Sequence, residues 1–315
     1  MALLSVQHAH ARDARVTFDT SAHQYTVDGL AVLGSVSSLW GAYFDRFDAL
    51  KTARRCYTKW ARAANEGNDA PDSDDWTYVE QYVRLIELGG EAAVLQAGVK
   101  RILKTGGRGY SRLLVHLWQK GMDKDSCVAA IVDLWRIIGE VASVRGTYVH
   151  LQCELDCNDE SFDQEAVEVK QYREFRTDNA QLKPFRTEWS IFATAGMYTI
   201  AGQIDAIYQD ADGDLHMIDY KCCASPLTSD NVFGRCGDAP FEGVPDTPWG
   251  HYAVQQNIYR YILELHYGLT LRSSRLLRIH ASLKTYELIF VPDLRDNIAT
   301  LFNTLCRTTK TPNII

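Results

Sequence analysis

Three strand-like segments between residues 184 and 223 constrain the fold of this chain more than any other feature. They read TEWSIFATAG, MYTIAGQIDAIYQD and DLHMIDYKCC, and the sequences Ala195-Gly196 and Ala211-Asp212-Gly213 separate them. Glycine and aspartate at such positions are typical of tight turns between neighbouring strands. We therefore predict three consecutive strands of an antiparallel meander.

Helical patterns lie on both sides of this meander. Two amphipathic segments precede it, and a glycine- and proline-rich loop, a helix, two more strands and a closing helix follow it. The predicted helices cover 125–156, 163–178, 249–267 and 292–305, and the two later strands are RLLRIHASL and TYELIFV. This order predicts an α/β fold in which helices flank a central mixed β-sheet.

The first 140 residues are predicted to form a mostly helical accessory lobe. Alternating residues and an Asp28-Gly29 turn signal predict a β-hairpin over residues 16–32. Helices are predicted over 35–50, 51–62, 76–95 and 99–120, with a polar loop over 65–75. The sequence thus divides into this lobe, residues 1–140, and a core domain, residues 141–315.

Composition narrows the class of protein. Hydrophobic residues make up 46% of the 315 positions, which is enough for a large packed core. No apolar run reaches the roughly 18 residues of a membrane-spanning helix. The first fifteen residues also lack the basic start and the long apolar stretch of a signal peptide. We expect a soluble, intracellular protein that does not bind a membrane, in a compartment that the sequence does not specify.

Eight cysteines are scattered through the chain, and their spacing does not match that of a zinc ribbon. Cys153 and Cys157 are four residues apart, whereas Cys222 and Cys223 are adjacent. Because the sequence shows no secretory signal, we expect free thiols rather than disulfides.

The formal net charge of −7 argues against binding of a polyanion over the whole surface. A local basic groove, together with divalent cations held by clustered carboxylates, would still attract phosphate at one place. The predicted helix over 51–62 offers five basic residues for such a groove, with two aromatic residues available to stack on bases. They are Lys51, Arg54, Arg55, Lys59 and Arg62, with Tyr57 and Trp60. The alternative is an ordinary solvated helix face.

Two carboxylates and one ammonium group are predicted to meet in the meander. Asp205 ends the sequence AGQID, and fourteen residues later MIDYK supplies Asp219 and Lys221. Side chains on a strand alternate with period two, so Asp219 and Lys221 point to one face. The hairpin return through residues 211–214 would bring Asp205 beside them. An edge strand with solvated charges is the alternative.

Such a patch suits hydrolysis of a phosphodiester. Carboxylate oxygens are the ligands that Mg²⁺ and Mn²⁺ prefer, and a cation can hold the attacking water or offset developing charge. We expect Asp205 and Asp219 to bind the metal and Lys221 to orient or deprotonate water. The backbone carbonyl of Tyr220 is a further candidate ligand.

Two helical pairs are candidates to complete the patch. His150 and Glu154 are four residues apart in VRGTYVHLQCE, so they share one helix face, where both could face a metal. Gln255 and Tyr259 have the same spacing in WGHYAVQQNIYRYILE. Taken singly, a surface or core histidine and an amphipathic helix with a polar edge explain these pairs equally well.

In chain order the motifs are GTYVH with Glu154, TEW with Glu188, AGQID, IDYK, and the helix with Gln255 and Tyr259. This combination resembles the RecB-like exonuclease branch of the PD-(D/E)XK nuclease superfamily. The resemblance covers residues 144–264. It implies a PD-(D/E)XK (restriction-endonuclease-like) core, to which the helical N-terminal lobe is an extension.

The resemblance also implies roles for individual residues. His150, Asp205 and Asp219 correspond to metal ligands and Lys221 to the catalytic lysine. Gln255 and Tyr259 correspond to the helix motif that contacts nucleic acid or braces the site. Glu188 would assist a second metal or support the first, and Glu154 is similar to the family's acidic residue after the histidine.

This sequence departs from the family pattern in two places. Asp219 occupies a position where the family often has glutamate, which is compatible with metal binding. Members with an iron-sulfur cluster carry several cysteines after the glutamine and tyrosine helix, whereas this chain has only Cys306 there. We expect no iron-sulfur cluster.

The implied function is a Mg²⁺- or Mn²⁺-dependent deoxyribonuclease, foremost an exonuclease that acts on DNA ends or single strands. RNA is not excluded as a substrate. One alternative is a structure-specific or nicking endonuclease. Another is a catalytically inactive DNA-binding protein that retains the fold. A third is an unrelated α/β protein in which Asp205 and Lys221 lie far apart or on opposite faces of the sheet.

Overall fold

The structure, a computed structural model, describes residues 2–20, 22, 24–32, 34–65, 114–115, 117–230 and 234–307. Its contacts divide the chain into two units. We call residues 1–46 together with 149–315 the sheet unit, and residues 47–148 the helical unit. The predicted boundary at residue 140 differs from this grouping, because the first 46 residues belong with the sheet.

The α-helices whose bounds are described are, in chain order, α1 (Leu4–Gln7), α2 (Val36–Gly41), α3 (Ala49–Asn65), α4 (Lys124–Cys157), α5 (Val167–Asp178), α6 (Pro248–His266) and α7 (Arg295–Arg307). The described strands are β1 (Val16–Asp19), β2 (Gln24–Val27), β3 (Leu30–Ala31), β4 (Gly34–Ser35), β5 (Lys183–Ala195), β6 (Tyr198–Gln209), β7 (Leu215–Lys221), β8 (Leu271–Arg278) and β9 (Glu287–Phe290). Among these residues, no helix is both long enough and apolar enough to cross a membrane.

A mixed sheet forms the centre of the sheet unit. Its strands follow the order β4-β6-β7-β8-β9, and β5 pairs with β6 along the length of that strand. Strands β5, β6 and β7 are antiparallel neighbours, which confirms the predicted meander. Strand β8 then runs parallel to β7, and β9 returns antiparallel to β8. The predicted α/β fold with a central mixed sheet flanked by helices is therefore observed.

Helices cover both faces of this sheet. On one face, Ile204 of β6 and Met217 of β7 belong to a core cluster with Val254 and Ile258 of α6. On the other face, the ring of Tyr220 packs edge-on against Tyr172 of α5, with 5.8 Å between ring centroids. Side chains of opposite parity on β7 thus reach different layers, as the period of a strand requires.

The N-terminal hairpin is larger than predicted. Strands β1, β2 and β3 form a three-stranded antiparallel sheet, and the tight turn between β2 and β3 uses Asp28 and Gly29 with positive φ angles of 51° and 77°. Its Val16 and Val27 pack with Ala201 of β6 in a second apolar cluster. Strand β4 adds to β6 in parallel. These contacts are the reason that residues 1–46 belong to the sheet unit.

The helical unit has its own apolar cluster. Ala53 of α3 is buried in it with Leu114, Cys127, Val128 and Ile131. The helix predicted over 35–50 is interrupted, because α2 ends at Gly41 and the carboxylate of Asp48 caps the start of α3 by accepting the N–H of Lys51. The predicted helix over 76–95, nearly all of the loop over 65–75 and most of the predicted helix over 99–120 lie outside the described residues. Of the last helix, residues 114–115 and 117–119 are described and are helical.

Candidate functional site

Strands β6 and β7 separate at the site. Their pairing runs from Gln209 opposite Leu215 to Ala206 opposite Ile218 and stops there. The carboxylate of Asp205, the next residue of β6, accepts the backbone N–H of Tyr220 at 2.7 Å. A side chain thus replaces the carbonyl that would continue the ladder, and it holds Asp205 at the fork between the strands.

Helix α4 brings an imidazole to this fork. Nδ1 of His150 lies 3.6 Å from Oδ2 of Asp205 and 3.7 Å from Oε1 of Glu188. Nε2 of the same ring is 3.1 Å from the carbonyl oxygen of Tyr220. His150, Glu188 and Asp205 offer three ligand atoms that all lie within 4.8 Å of one another. We call these three residues the ligand cluster.

Glu188 enters the cluster from strand β5. The flanking pairs, Thr187 with Ala206 and Trp189 with Ile204, put Glu188 opposite Asp205 across the strands. Its φ of 42° lies in the left-handed region, which is uncommon for a residue with a side chain. Oε1 of Glu188 is buried and has no hydrogen-bond partner among the described residues. A strained backbone and a buried lone oxygen are typical of functional sites.

Asp219 and Lys221 form an ion pair next to the cluster. Nε2 of Gln256, on α6, donates a hydrogen bond of 2.8 Å to Oδ1 of Asp219. The ammonium group of Lys221 lies 4.5 Å from the ring centroid of Tyr252, also on α6. Asp219 was predicted to bind metal together with His150 and Asp205, but its carboxylate is not part of the ligand cluster and is held by Lys221 and Gln256.

Burial and neighbouring charges shift the pKa values of these groups. Burial lowers the pKa of His150, but the carboxylates of Asp205 and Glu188 outweigh it and raise that pKa to about 9. Burial raises the pKa of Asp219 to about 6, against the opposing effect of the Lys221 ammonium group. It also raises the pKa of Asp205, against the effects of His150 and Lys221. The positive charges of His150 and Lys221 therefore offset those of the buried carboxylates, and a cation at the ligand cluster would replace the proton of His150.

Lys221 stays charged in spite of its burial. Burial lowers the pKa of this amine, but the carboxylates of Asp219 and Asp205 raise it above its ordinary value. An ammonium group with a raised pKa cannot easily accept a proton from water. A charged Lys221 fits the predicted orienting role better than the role of a base.

The predicted pair on α6 is joined by a hydrogen bond and packs beside strand β6. Nε2 of Gln255 donates to the hydroxyl of Tyr259 at 3.2 Å, and Tyr259 is only 3% exposed. A Cβ at Gly202 would lie 2.6 Å from Cε1 of Tyr259, so the glycine in AGQID allows the ring to pack on strand β6. Of the two predicted roles for this pair, burial favours bracing the site over contact with nucleic acid.

The remaining predicted residues lie elsewhere. Glu154, one turn after His150 on α4, lines a separate cavity of about 200 Å³ with Ser5, Asn158 and Thr187 and is not part of the ligand cluster. The basic residues predicted to bind nucleic acid belong to α3 of the helical unit. They are Lys51, Arg54, Arg55, Lys59 and Arg62.

Sequence reasoning missed Gln256 and Tyr252, which contact Asp219 and Lys221. Residues 252, 256 and 259 recur at intervals of four and three on α6, and this helical spacing could have identified the face that points to the sheet. Tyr25 of the hairpin was also missed. Burial raises its pKa to about 12, and the charges of Glu188 and Asp205 add to that shift, so the phenol lies near the cluster. Nothing in the local sequence indicates this proximity.

Comparison with known proteins adds little. No protein-family model matches this chain, and no curated protein sequence matches it. Among solved structures, the crystal structure of SSO0001 is similar over 56% of this chain and 66% of that chain, with 16% sequence identity and a TM-score of 0.28. The matched part thus spans slightly less than two thirds of that protein. A TM-score of 0.28 is too low to indicate a shared fold.

Proposed function

We propose that this chain is a metal-dependent nuclease with a PD-(D/E)XK core, which hydrolyses phosphodiester bonds in DNA. One observation supports this proposal above the others. The carboxylates of Glu188 and Asp205, the imidazole of His150 and the carbonyl of Tyr220 converge at the fork between β6 and β7, beside Lys221. In keeping with the family resemblance, we propose an exonuclease that acts on DNA ends or single strands.

The donor atoms of the site fit Mg²⁺ or Mn²⁺. Hard oxygen ligands predominate, with one imidazole, and this set suits such ions better than a thiolate site would. The buried oxygen of Glu188, which lacks a hydrogen-bond partner among the described residues, would be coordinated by the cation. His150, Glu188 and Asp205 would hold the metal, with the Tyr220 carbonyl in reach. When bound, the metal supplies Lewis-acid polarisation of the phosphate and a more acidic water.

The protein groups around the ligand cluster have separate tasks. The ammonium group of Lys221 offsets negative charge on a phosphate and orients a water by hydrogen bonding. Asp219 fixes the position of Lys221, and Gln256 in turn fixes Asp219. The rigid strands that carry these residues keep their geometry set before substrate binds.

The test is cleavage of end-labelled single- and double-stranded DNA in Mg²⁺, Mn²⁺ or EDTA. We expect cutting in either metal, no cutting in EDTA, and losses of at least about a hundredfold for Asp205→Asn and Lys221→Ala. The ladder of products separates attack at ends from internal attack. Comparing the digestion of linear DNA with that of covalently closed circular DNA tests the same distinction independently.

Asp214→Asn is a matched control, because Asp214 is an exposed aspartate at the turn of the same β6–β7 hairpin. It should cut like the wild type. If wild type and Asp205→Asn behave alike in every metal, the nuclease proposal is wrong. A wild type that binds DNA equally well in EDTA and Mg²⁺ and never cuts it would instead be a nonhydrolytic binding protein.

A further inference from the structure

Helix α3 of the helical unit carries a concentrated strip of positive charge. Its seventeen residues, ALKTARRCYTKWARAAN, include five lysines and arginines and no acidic residue, in a chain whose net charge is −7. All five basic residues are exposed. They are Lys51, Arg54, Arg55, Lys59 and Arg62. Spacings of three and four residues place them along one face of the helix, which we call the basic face.

Most of this charge has no ion-pair partner among the described residues. Among the described residues, Lys51, Arg54, Arg55 and Lys59 take part in no ion pair, although other arginines of the chain do, such as Arg136 with Asp133 and Glu140. Like charges this close repel one another and oppose formation of the helix. An anionic partner bound to this face would relieve the repulsion. A positively charged face in an otherwise acidic protein therefore fits such a partner.

The opposite face of α3 is already occupied. Ala53 is fully buried, and Tyr57 and Trp60 pack against the same apolar cluster. The hydroxyl of Tyr57 accepts a hydrogen bond from Nε1 of Trp118 at 3.2 Å, and Trp60 packs edge-on against Trp135. The two aromatic residues predicted to stack on bases are thus partly buried against the core of the helical unit.

We propose that the basic face of α3 binds the phosphate backbone of a nucleic acid, without reading its bases. This inference deepens the proposed function, on which it rests, by assigning a binding surface in a unit other than the one that holds the ligand cluster. From Lys51 to Arg62 the helix rises about 16 Å, the length of four or five phosphates along one strand of duplex DNA. Arginine and lysine on such a face bind phosphate and give no base specificity.

A lipid surface is a poorer match for the same charge. Helices that lie on membranes insert an apolar face beneath their basic face. The apolar face of α3 is used to bury Ala53 and to pack Tyr57 and Trp60, so no such surface is left to insert. The phosphate backbone of a nucleic acid, which needs only the charged side chains, suits the helix better.

The test is binding of fluorescein-labelled 30-nucleotide single- and double-stranded DNA to the full chain in EDTA, by fluorescence anisotropy over a range of salt. The test variant is Arg54→Ala/Arg55→Ala/Lys59→Ala, and alanine preserves the helix because it has the highest helix propensity. We expect its affinity to fall at least about tenfold, and the salt dependence (the slope of log K against log salt) to weaken by roughly two to three. Different base sequences should lose affinity equally.

The matched control is Lys183→Ala/Arg272→Ala/Lys284→Ala, which removes the same charge from exposed positions of the sheet unit. It should retain affinity to within about twofold. Equal binding by wild type and test variant, or equal losses in test and control variants, would overturn the inference. So would a test variant that keeps its DNA affinity but loses binding to phosphatidylserine vesicles. Circular dichroism and thermal unfolding check that each variant is folded.

The same experiment separates this inference from the proposed function. EDTA prevents metal-dependent cutting, so binding is measured whether or not the chain is a nuclease. A wild type that binds through α3 but never cuts DNA in Mg²⁺ or Mn²⁺ would leave the inference standing and refute the nuclease proposal. If the wild type cuts DNA but the test variant binds DNA as tightly as the wild type does, the nuclease proposal stands and this inference is refuted.

Discussion

The backbone N–H of Tyr220 donates a 2.7 Å hydrogen bond to Oδ2 of Asp205, at the point where β6 and β7 stop pairing. The strand that carries Asp219 and Lys221 therefore fixes Asp205 through its main chain, while the side chains of Asp219 and Lys221 pair with each other. Asp205, Glu188 and His150 pack closely around this bond.

Divalent metal should stabilise the wild type against heat. A cation at the ligand cluster offsets repulsion between Glu188 and Asp205, and metal at one hundred times its Kd contributes about 2.7 kcal/mol, or several degrees in Tm. Asp205→Asn keeps an acceptor oxygen for the Tyr220 N–H but removes the charge, so we expect most of the Mn²⁺-dependent rise in Tm to disappear. Differential scanning fluorimetry measures this rise in Tm, with Asp214→Asn as the control. An equal rise in both variants would contradict metal binding at the cluster.

Two adjacent glutamines on α6 should differ in their importance. Gln256 is 1% exposed and donates to the buried carboxylate of Asp219, whereas Gln255 donates to the hydroxyl of Tyr259. A hydrogen bond to a charged group contributes roughly 1.5–3 kcal/mol, about twice that of a neutral pair. We expect Gln256→Ala to lower the free energy of unfolding by about 1.5–3 kcal/mol. We also expect it to reduce the rate of DNA cleavage at least about tenfold. Gln255→Ala should cost less than about 1 kcal/mol in the same urea titrations. Equal effects would show that the bond to Asp219 contributes little.

Gly202 should not tolerate a larger side chain. An added Cβ would lie 2.6 Å from Cε1 of Tyr259 and 2.9 Å from Cγ2 of Val36, both of them in the core. Overpacking of this kind costs typically 1–3 kcal/mol, and urea denaturation of Gly202→Ala should reveal a loss in that range. Gly41→Ala is the control, since a Cβ there meets nothing within 4 Å, and it should change stability by less than about 0.5 kcal/mol. If Gly202→Ala is as stable as Gly41→Ala, the ring does not need the glycine.

Acid should weaken the anchor of the N-terminal segment. The Asp13 carboxylate accepts hydrogen bonds from Arg186 and from Nε1 of Trp189, both at 2.8 Å. Burial raises the pKa of Asp13, but these bonds, that of the His10 N–H and the Arg186 charge together hold it below its usual 3.8. A lowered pKa in the folded state stabilises the protein above the unfolded pKa, and this contribution is lost as pH falls below 3.8.

The corresponding variant is Asp13→Asn, compared with the wild type by urea denaturation between pH 7 and pH 3. At pH 7 we expect the wild type to be more stable by about 1–3 kcal/mol, since hydrogen bonds to a charged group are lost in the variant. The difference should narrow below pH 3.8, as the carboxyl group of the wild type becomes neutral. A constant difference over the whole range would mean that the charge of Asp13 does not contribute.

The sequence by itself determined the local elements. Alternation with period two and the glycine turns predicted β5, β6 and β7, and the helical spacing of apolar residues predicted α4, α5 and α6 to within a few residues. It also predicted that Asp205, Asp219 and Lys221 meet, because strand period and turn length constrain motifs on one hairpin. Such features depend on residues that are near in sequence.

Only the tertiary structure decided which groups face each other at the site. Glu188 became a member of the ligand cluster because strand register sets it opposite Asp205, and Asp219 was held apart from it by Lys221 and Gln256. The rotation of α6 against the sheet decided that Gln256, and not Gln255, contacts Asp219. The placement of β4 beside β6 likewise moved the first 46 residues into the sheet unit. Register, helix rotation and strand order depend on packing between segments far apart in the chain, and local periodicity does not encode them.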